Sequence, residues 1–140
     1  MPRPTVATLH KRLTPIFNRF IRLRDTLPLI NRGGGVLVRN GLCVSCGVKK
    51  PFDQLQAGHF VPADHYIHRY DERNVNAQCV KCNRFMHGNL IGYWLGMEAK
   101  WGWQVTHKLA ETRNDQRIYT VPELEELIEY YSNKVKQLEI

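Results

Sequence analysis

Apolar residues recur at helical spacing in several stretches of the chain, and these stretches predict its helices. Thr14-Pro15 is a helix-start signal, because threonine caps helices well and proline fits the first turn. The helix that follows should end before Pro28, and Pro15 should interrupt any earlier turn over residues 7–13. Residues 89–101 and 103–112 show the same spacing and predict two further helices.

The last helix has the clearest boundary signal. Thr120 and Glu123 form a capping-box pattern with a proline between them, which predicts that a helix begins there. Apolar residues then line one face of this helix over about four turns. They are Leu124, Leu127, Ile128, Tyr131, Val135 and Leu138. This stripe indicates either core packing or a dimer interface, and the sequence does not separate the two.

Shorter elements are predicted in the middle of the chain. Residues 54–61 should form one strand of a short hairpin, and residues 62–73 are polar and irregular. Residues 80–84 should begin a helix. Residues 31–35 are rich in glycine and predict a flexible loop.

Two Cys-x-x-Cys pairs are the strongest chemical signal, with Cys43 and Cys46 in one pair and Cys79 and Cys82 in the other. We expect a cytoplasmic protein, because there is no apolar signal segment and no run of about 18 apolar residues that could span a membrane. Thiols stay reduced in that compartment. Four cysteines at this spacing then predict a closed, structural Zn²⁺ site rather than disulfides or a redox-active pair.

The net charge of +7 is concentrated in the first third of the chain. Residues 1–50 contain ten Lys and Arg and one acid, whereas residues 91–140 contain six Lys and Arg and eight acids. This asymmetry indicates a polyanionic partner, of which nucleic acid is the commonest. A basic face that serves only solubility is the alternative interpretation.

A histidine and two asparagines lie among the cysteines. His59 ends a predicted strand, and Asn83 directly follows the last cysteine. Neutral histidine is a suitable general base near pH 7, and an asparagine carbonyl can bind Mg²⁺ or Mn²⁺. Asn74, in the intervening loop, could hydrogen-bond to backbone near His59 and fix its orientation. Each residue alone is more commonly a packing or turn residue, but together they predict metal-assisted phosphodiester hydrolysis.

This order of strand, histidine, asparagine and Cys-x-x-Cys-Asn resembles the His-Asn-His, or ββα-metal, nuclease motif in its asparagine-terminated variant. The two cysteine pairs are similar to those of the recombination endonuclease VII family. The detailed string is closer to the NinG/Rap family of lambda-like phages, over roughly residues 13–138. The matching stretches are Phe20–Asp25, Gln56–Phe60, Arg69–Cys79, and Cys82-Asn83 followed by Gly88, Asn89 and Tyr93.

The resemblance implies an α+β fold with a small zinc-stabilised core of the treble-clef or ββα-metal kind, flanked by N- and C-terminal helices. We expect a single domain over residues 1–140. Its parts would be a basic helix and loop over 1–40, the nuclease core over 41–102 and C-terminal helices over 103–140.

The implied activity is metal-dependent, structure-specific cleavage of branched DNA, such as Holliday junctions or D-loops, during phage recombination. His59 would be the general base, Asn74 the middle asparagine of the motif, and Asn83 a ligand of a catalytic Mg²⁺ or Mn²⁺. Because symmetrical resolution of a junction needs two active sites, we expect a homodimer in the cytoplasm of the bacterial host.

Two positions depart from the related nucleases. The Asp or His that usually precedes the base, as a second metal ligand, is here Gly58, and the glutamate one turn after the asparagine is here Met86. The candidate replacements for these metal ligands are Asp64, His65, His68 and His87. His65 is favoured over His68 as a ligand. His87 follows Asn83 by four residues, which matches the spacing of the two histidine ligands in many such nucleases.

Basic residues are predicted to contact DNA phosphates without reading the sequence. They are Lys11, Arg12, Arg19, Arg22, Arg24, Lys49, Lys50 and Arg69. Arg69 could instead pair with Glu72. Two other functions stay open. One is a non-catalytic zinc module that binds branched DNA, for which Gly58 is the best argument. The other is a general nicking endonuclease that cleaves plain duplex equally well.

Overall fold

The computed structural model describes residues 2–30 and 32–139. In this part of the chain four α-helices accompany two small antiparallel sheets, which confirms the α+β prediction. The helices are α1 (Val6–Arg24), α2 (Leu90–Trp101), α3 (Trp103–Glu111) and α4 (Val121–Leu138). The first sheet contains β1 (Thr26–Ile30), β2 (Val36–Leu42) and β3 (Lys49–Pro51), and the second pairs β4 (Leu55–His59) with β5 (Val75–Cys79).

Helix α1 begins well before the predicted start and continues through Pro15, so the predicted interruption is wrong. Thr5 caps its first turn. Pro15 removes one backbone hydrogen bond, whose acceptor would be the carbonyl of Lys11, but both residues are exposed and water can reach that carbonyl. Leu9 and Leu13 are completely buried on the same helix. Their burial outweighs the local cost of the proline.

The largest core lies between α1 and α4. Phe17 and Tyr131 meet edge to face, with their ring centroids 4.8 Å apart. Leu124 is completely buried in this core, and the other apolar residues of the α4 stripe pack against it. The capping box of α4 forms as predicted. The stripe is therefore used for packing within the chain.

A second core joins α2 and α3 to the segment that follows β4. Helix α2 begins after Asn89 and ends before Gly102, as predicted. The Tyr93 hydroxyl, buried in this core, donates to the carbonyl of Gly58 at 2.6 Å. The buried members are Phe60, Val61, Tyr93, Met97 and Leu109. This core fixes the β4–β5 pair against α2, and the candidate site lies along that pair.

Two local features differ from regular helix or loop. Residues Lys81–Phe85 form a single π-helical turn where the start of an α-helix was predicted, and Tyr66–His68 form a 3₁₀ turn within the irregular segment. The three-stranded sheet of residues 26–51 was not predicted from the sequence.

Across residues 2–30 and 32–139, no helix combines the length and apolar character that crossing a bilayer requires.

Candidate functional site

The four cysteines meet at one point in the fold. Their Sγ atoms all lie within 4.8 Å of one another, and Sγ of Cys46 lies 3.8 Å from Sγ of Cys79. A tetrahedral zinc with Zn–S bonds of about 2.3 Å places its sulfurs about 3.8 Å apart, so this spacing fits zinc. All four are free thiols, and all except Cys46 are buried. They can hold one structural metal ion such as zinc.

Local backbone geometry explains how the two cysteine pairs are presented. After the first pair, Gly47 adopts a φ of 77°, and its N–H donates to the carbonyl of Cys43 at 2.8 Å. In the second pair, the N–H of Cys82 donates to Sγ of Cys79 at 3.5 Å. Burial raises the pKa of Cys82 to about 12; the hydrogen bond from Asn89 opposes this effect and the neighbouring cysteines add to it. Zinc binds the thiolate form of cysteine, so metal binding here releases thiol protons.

His59 lies at the end of β4 and is half-buried. Its Nε2 lies 3.0 Å from the backbone carbonyl oxygen of Arg69. A carbonyl can only accept, so Nε2 carries the proton of the neutral ring and Nδ1 keeps a lone pair. Burial lowers the pKa of His59, and the positive charge of Arg69 adds to this, although the hydrogen bond to the carbonyl opposes it. His59 is therefore neutral at pH 7, with Nδ1 as its basic atom.

Asn74 is completely buried and braces the backbone just beyond His59. Its Oδ1 accepts from the N–H of Val61 at 2.7 Å, and its Nδ2 donates to the carbonyl of Val61 at 2.9 Å. The same Nδ2 donates to the carbonyl of His68 at 3.0 Å. The predicted contact between Asn74 and backbone near His59 is present.

Asn83 lies on the π-helical turn and points toward β4. Its Nδ2 donates to Oε1 of Gln56 at 2.8 Å. Both residues line an open polar cleft of about 470 Å³, which we call the Asn83 cleft. The polar side chains that line it are Asn18, Arg22, Asp53, Gln56, Asn83 and Arg84. Sequence reasoning assigned no role to Asp53, and it noted Gln56 only within a matching stretch.

Gly58 is restricted to glycine by Gln78 on the neighbouring strand. A Cβ at position 58 would overlap Oε1 of Gln78 and would lie 3.0 Å from Cβ and Cδ of that residue. Gln78 is completely buried, and its Nε2 donates to Oγ of Ser45 at 2.8 Å and to the carbonyl of Gly88 at 2.7 Å. The space beside residue 58 is therefore filled by a glutamine that ties β5 to Ser45, between the first two cysteines, and to Gly88, beyond the π-helical turn.

Comparison with known proteins identifies the family. A family model described as "Bacteriophage Lambda NinG protein" matches residues 5–140. The chain belongs to the NinG family. It is 33% identical over 122 residues to protein ninG of Escherichia phage 933W, an alignment that covers 86% of this chain and 53% of that protein. The corresponding identities are 31% to the protein of Escherichia phage lambda, with 52% of it covered, and 31% to that of Salmonella phage P22, with 53% covered.

The NinG-family chain thus spans about half the length of these curated relatives. No solved structure matches it. The resemblance to the NinG family predicted from the sequence is confirmed. The names of these relatives describe no reaction.

The structure places the predicted metal ligands of the 62–73 segment away from Asn83. His65 Nδ1 lies 2.8 Å from the carbonyl oxygen of Arg113, and Asp64 lines the same groove at the end of α3. His68 Nε2 lies 2.7 Å from Oγ1 of Thr112. Neither histidine lines the Asn83 cleft, and His59 does not line it either. Among the described residues, the four cysteines are the only set of three or more Cys, His, Asp or Glu that converges on a point.

His87 was predicted as a metal ligand because residues four apart share one face of an α-helix, and an α-helix was expected to begin near Asn83. The NinG-family chain instead has a π-helical turn over residues 81–85, and His87 adopts a φ of 50°. His87 therefore lies beyond the helical turn, in the left-handed region, so the four-residue spacing no longer places it beside Asn83. His87 is exposed and does not line the Asn83 cleft.

Arg24 has a structural role rather than the predicted contact with phosphate. Its guanidinium donates to both carboxylate oxygens of Asp25 and to the backbone carbonyls of Glu72 and Val75. A further bond reaches Oδ1 of Asn76 at 3.2 Å. These bonds hold the end of α1 against β5, and the side chain is only 19% exposed.

The other basic residues are differently placed. Arg22 lies over the ring of Phe52 at 3.9 Å and borders the Asn83 cleft, whereas Arg19 pairs with Glu139 at 2.6 Å. Arg69 donates to Oγ1 of Thr14 at 3.3 Å. Its alternative partner Glu72 accepts instead from the Tyr131 hydroxyl. Four predicted contacts remain on the surface: Lys11, Arg12 and Lys49 are exposed and Lys50 is half-buried.

Proposed function

We propose that this NinG-family chain is a metal-dependent endonuclease that hydrolyses phosphodiester bonds in branched DNA during recombination. The proposal includes a ββα-metal, treble-clef-like core formed by β4, β5, the cysteine turns and the π-helical turn. The observation that carries it is the state of His59, a neutral ring whose Nε2 is held by a carbonyl and whose Nδ1 is basic. A histidine held in this way suits proton abstraction at neutral pH.

The protein groups divide the chemistry between them. Nδ1 of His59 would take the proton of the attacking water, while Asn74 keeps the backbone beyond His59 in place. Asp53, Gln56 and Asn83 provide one carboxylate and two carboxamides around the Asn83 cleft, and this hard oxygen donor set fits a partly hydrated Mg²⁺ or Mn²⁺. When bound, such an ion neutralises developing charge on the phosphate and the leaving oxygen.

Cations are available to position the DNA. Arg22 and Arg84 border the Asn83 cleft, where they could hold a phosphate beside the reacting centre. Lys11 and Arg12 are exposed on α1 and would bind phosphates farther along the duplex. We include a homodimer in the proposal, acting in the host cytoplasm, because cleaving both strands at a junction needs two active sites.

The decisive experiment is cleavage of a synthetic four-way junction by wild type and His59→Ala, with and without Mg²⁺. We expect His59→Ala to keep its zinc and its junction affinity while cleavage falls by about a hundredfold or more. His107→Ala is a matched control, because His107 is an exposed histidine on α3. Unchanged cleavage by His59→Ala would remove this residue from the mechanism.

A non-catalytic zinc module that binds branched DNA is the second candidate. It is favoured by Gly58, because the neighbouring Gln78 leaves no room there for the usual second ligand. This candidate predicts tight junction binding with no cleavage in Mg²⁺ or Mn²⁺. Equal cleavage of plain duplex and junction would instead indicate a general nicking enzyme.

A further inference from the structure

The turn that carries Asn83 also presents bare apolar side chains to solvent. Phe85 is 77% exposed and Met86 is 45% exposed, directly after Arg84 in the chain. Leu90, Ile91 and Leu95, on the first turns of α2, are exposed as well. We call these five residues the Phe85 patch. Exposed apolar side chains grouped along one segment of a folded protein point to an interaction site.

The exposure of Phe85 does not come from a loose segment. Cys82, a ligand of the proposed zinc, lies on the same π-helical turn. The N–H of Met86 donates to the carbonyl of Lys81 at 2.8 Å, and the N–H of Gly88 donates to the carbonyl of Cys82 at 2.8 Å. The ring is therefore held out from a rigid turn, so ordering it on a partner costs little entropy.

The charges around the patch indicate the kind of partner. Residues 80–97 contain no Asp or Glu, whereas Lys81 and Arg84 are both exposed there. Arg84 also lines the Asn83 cleft. Exposed aromatic and apolar side chains whose charged neighbours along the chain are cations match nucleic acid, because bases offer flat apolar faces and the phosphates beside them offer negative charge.

We propose that Phe85, supported by Met86, stacks on a base that is left uncovered at a DNA branch point. Arg84 and the Asn83 cleft then receive the adjacent phosphate. In continuous duplex each base face is already covered by its neighbour, so the same contact would require unstacking at a cost in free energy. Phe85 is thereby a specificity-determining residue that favours branched over plain DNA. The inference takes its substrate class from the proposed function.

The test measures binding without Mg²⁺, so that it does not depend on cleavage. A fluorescent base analogue placed at the branch of a four-way junction reports stacking, and plain duplex of the same sequence serves as the reference. Phe85→Ala should lose the fluorescence change and weaken junction binding roughly five- to a hundredfold, the range for removing one aromatic stacking platform. Duplex binding should stay within about twofold, because phosphate contacts supply it.

Matched variants separate stacking from general apolar contact. Phe85→Trp should preserve the preference for the junction, and Phe85→Leu should lose most of it, because only the former keeps a ring. Ile118→Ala is the control for exposure, since Ile118 is 82% exposed and lies outside the Phe85 patch. Zinc content should be the same in all variants, because the exposed ring of Phe85 is not needed for folding.

Each outcome decides the proposal. If the Phe85→Ala variant prefers the junction over the duplex as strongly as wild type does, the proposal is overturned. It is also overturned if wild type binds neither the junction nor the duplex. If Phe85→Ala converts a dimer to a monomer in sedimentation and leaves the preference unchanged, the patch is an interface between copies. A wild type that binds junctions through Phe85 but never cleaves them refutes the nuclease function and supports base stacking.

Discussion

Adding one methyl group at Gly58 tests why this chain lacks the acid that the His-Asn-His motif would place there. In Gly58→Ala the new Cβ would overlap Oε1 of Gln78 and lie 3.0 Å from Cβ and Cδ of that residue. Gln78 cannot move aside without breaking its bonds to Ser45 and Gly88, at 2.8 and 2.7 Å. The substitution must therefore displace a buried, hydrogen-bonded side chain.

The expected cost can be worked from those bonds. Two hydrogen bonds at about 1 kcal/mol each suggest that displacing Gln78 costs about 2 kcal/mol. This lies within the range of about 1–3 kcal/mol for overpacking a well-packed site. Alanine is normally more stable than glycine in a strand, by about 0.5–1 kcal/mol. The usual effect of replacing glycine by alanine in a strand is thus a gain in stability, so a loss of stability in Gly58→Ala would indicate the clash with Gln78.

A double-mutant cycle isolates the contact. Gln78→Ala removes Oε1 and Cδ and leaves only the 3.0 Å approach to its Cβ. In that background Gly58→Ala should cost less than about 1 kcal/mol, giving a coupling energy of about 1–2 kcal/mol. Urea unfolding of the zinc-loaded protein, followed by circular dichroism, provides each free energy at constant m-value. An equal cost in both backgrounds would refute the steric explanation.

The same contact makes a prediction about function. Gly58→Asp introduces the carboxylate that the His-Asn-His motif has at this position, together with the same Cβ. We expect lower stability and no gain in Mg²⁺-dependent cleavage, measured on the synthetic junction. A more active and equally stable Gly58→Asp protein would show that Gln78 does not define this position.

Four further predictions follow from the described contacts. Cys79→Ser should abolish stoichiometric zinc and cooperative unfolding, measured by metal analysis and thermal melting, because structural zinc contributes folding energy directly. Burial disfavours the Asp25 carboxylate, but its cationic partners outweigh this and lower its pKa. The stabilisation that ionised Asp25 provides is therefore complete above a pH of about 3.9, the pKa of this group in the unfolded chain. It is lost as the pH falls through the lower pKa of the folded state. Asp25→Asn should cost about 3–5 kcal/mol at pH 7 and flatten the acid limb of the stability curve, and an unchanged acid midpoint would contradict this. Arg24→Ala should lower stability and leave the salt dependence of DNA binding unchanged. Lys11→Ala should not affect stability, but it should reduce the slope of the logarithm of the binding constant against the logarithm of the salt concentration by about one unit. If the chain cleaves DNA, kcat/KM should fall with decreasing pH around an apparent pKa below 6.5, because partial burial and the charge of Arg69 lower the pKa of His59, and a limb above 6.5 would count against His59.

Local signals in the sequence were sufficient for several elements. The capping box at Thr120 and Glu123 marked the start of α4, and the glycine at position 102 marked the end of α2. The cysteine spacing predicted the one converging set of metal-ligand side chains that the described residues contain. These features depend on residues close together in the chain, so their physical causes are visible without a fold.

Other features depended on contacts between distant residues. Helix α1 passes through Pro15 because burial of Leu9 and Leu13 against the core outweighs one missing hydrogen bond. The sheet of β1, β2 and β3 was missed because its strands are stabilised by pairing with one another rather than by a local signal. Arg24 was predicted to face DNA, and only the folded chain shows its partners on β5.

Residue types and their spacing along the chain were sufficient to predict the family, the four-cysteine cluster and the amphipathic helices. The folded chain was needed to show which nitrogen of His59 is basic, what surrounds Asn83 and why residue 58 must be glycine. Those properties arise from hydrogen bonds and excluded volume between strands and turns that lie up to tens of residues apart. Spacing alone carries no information about such contacts until the chain has folded.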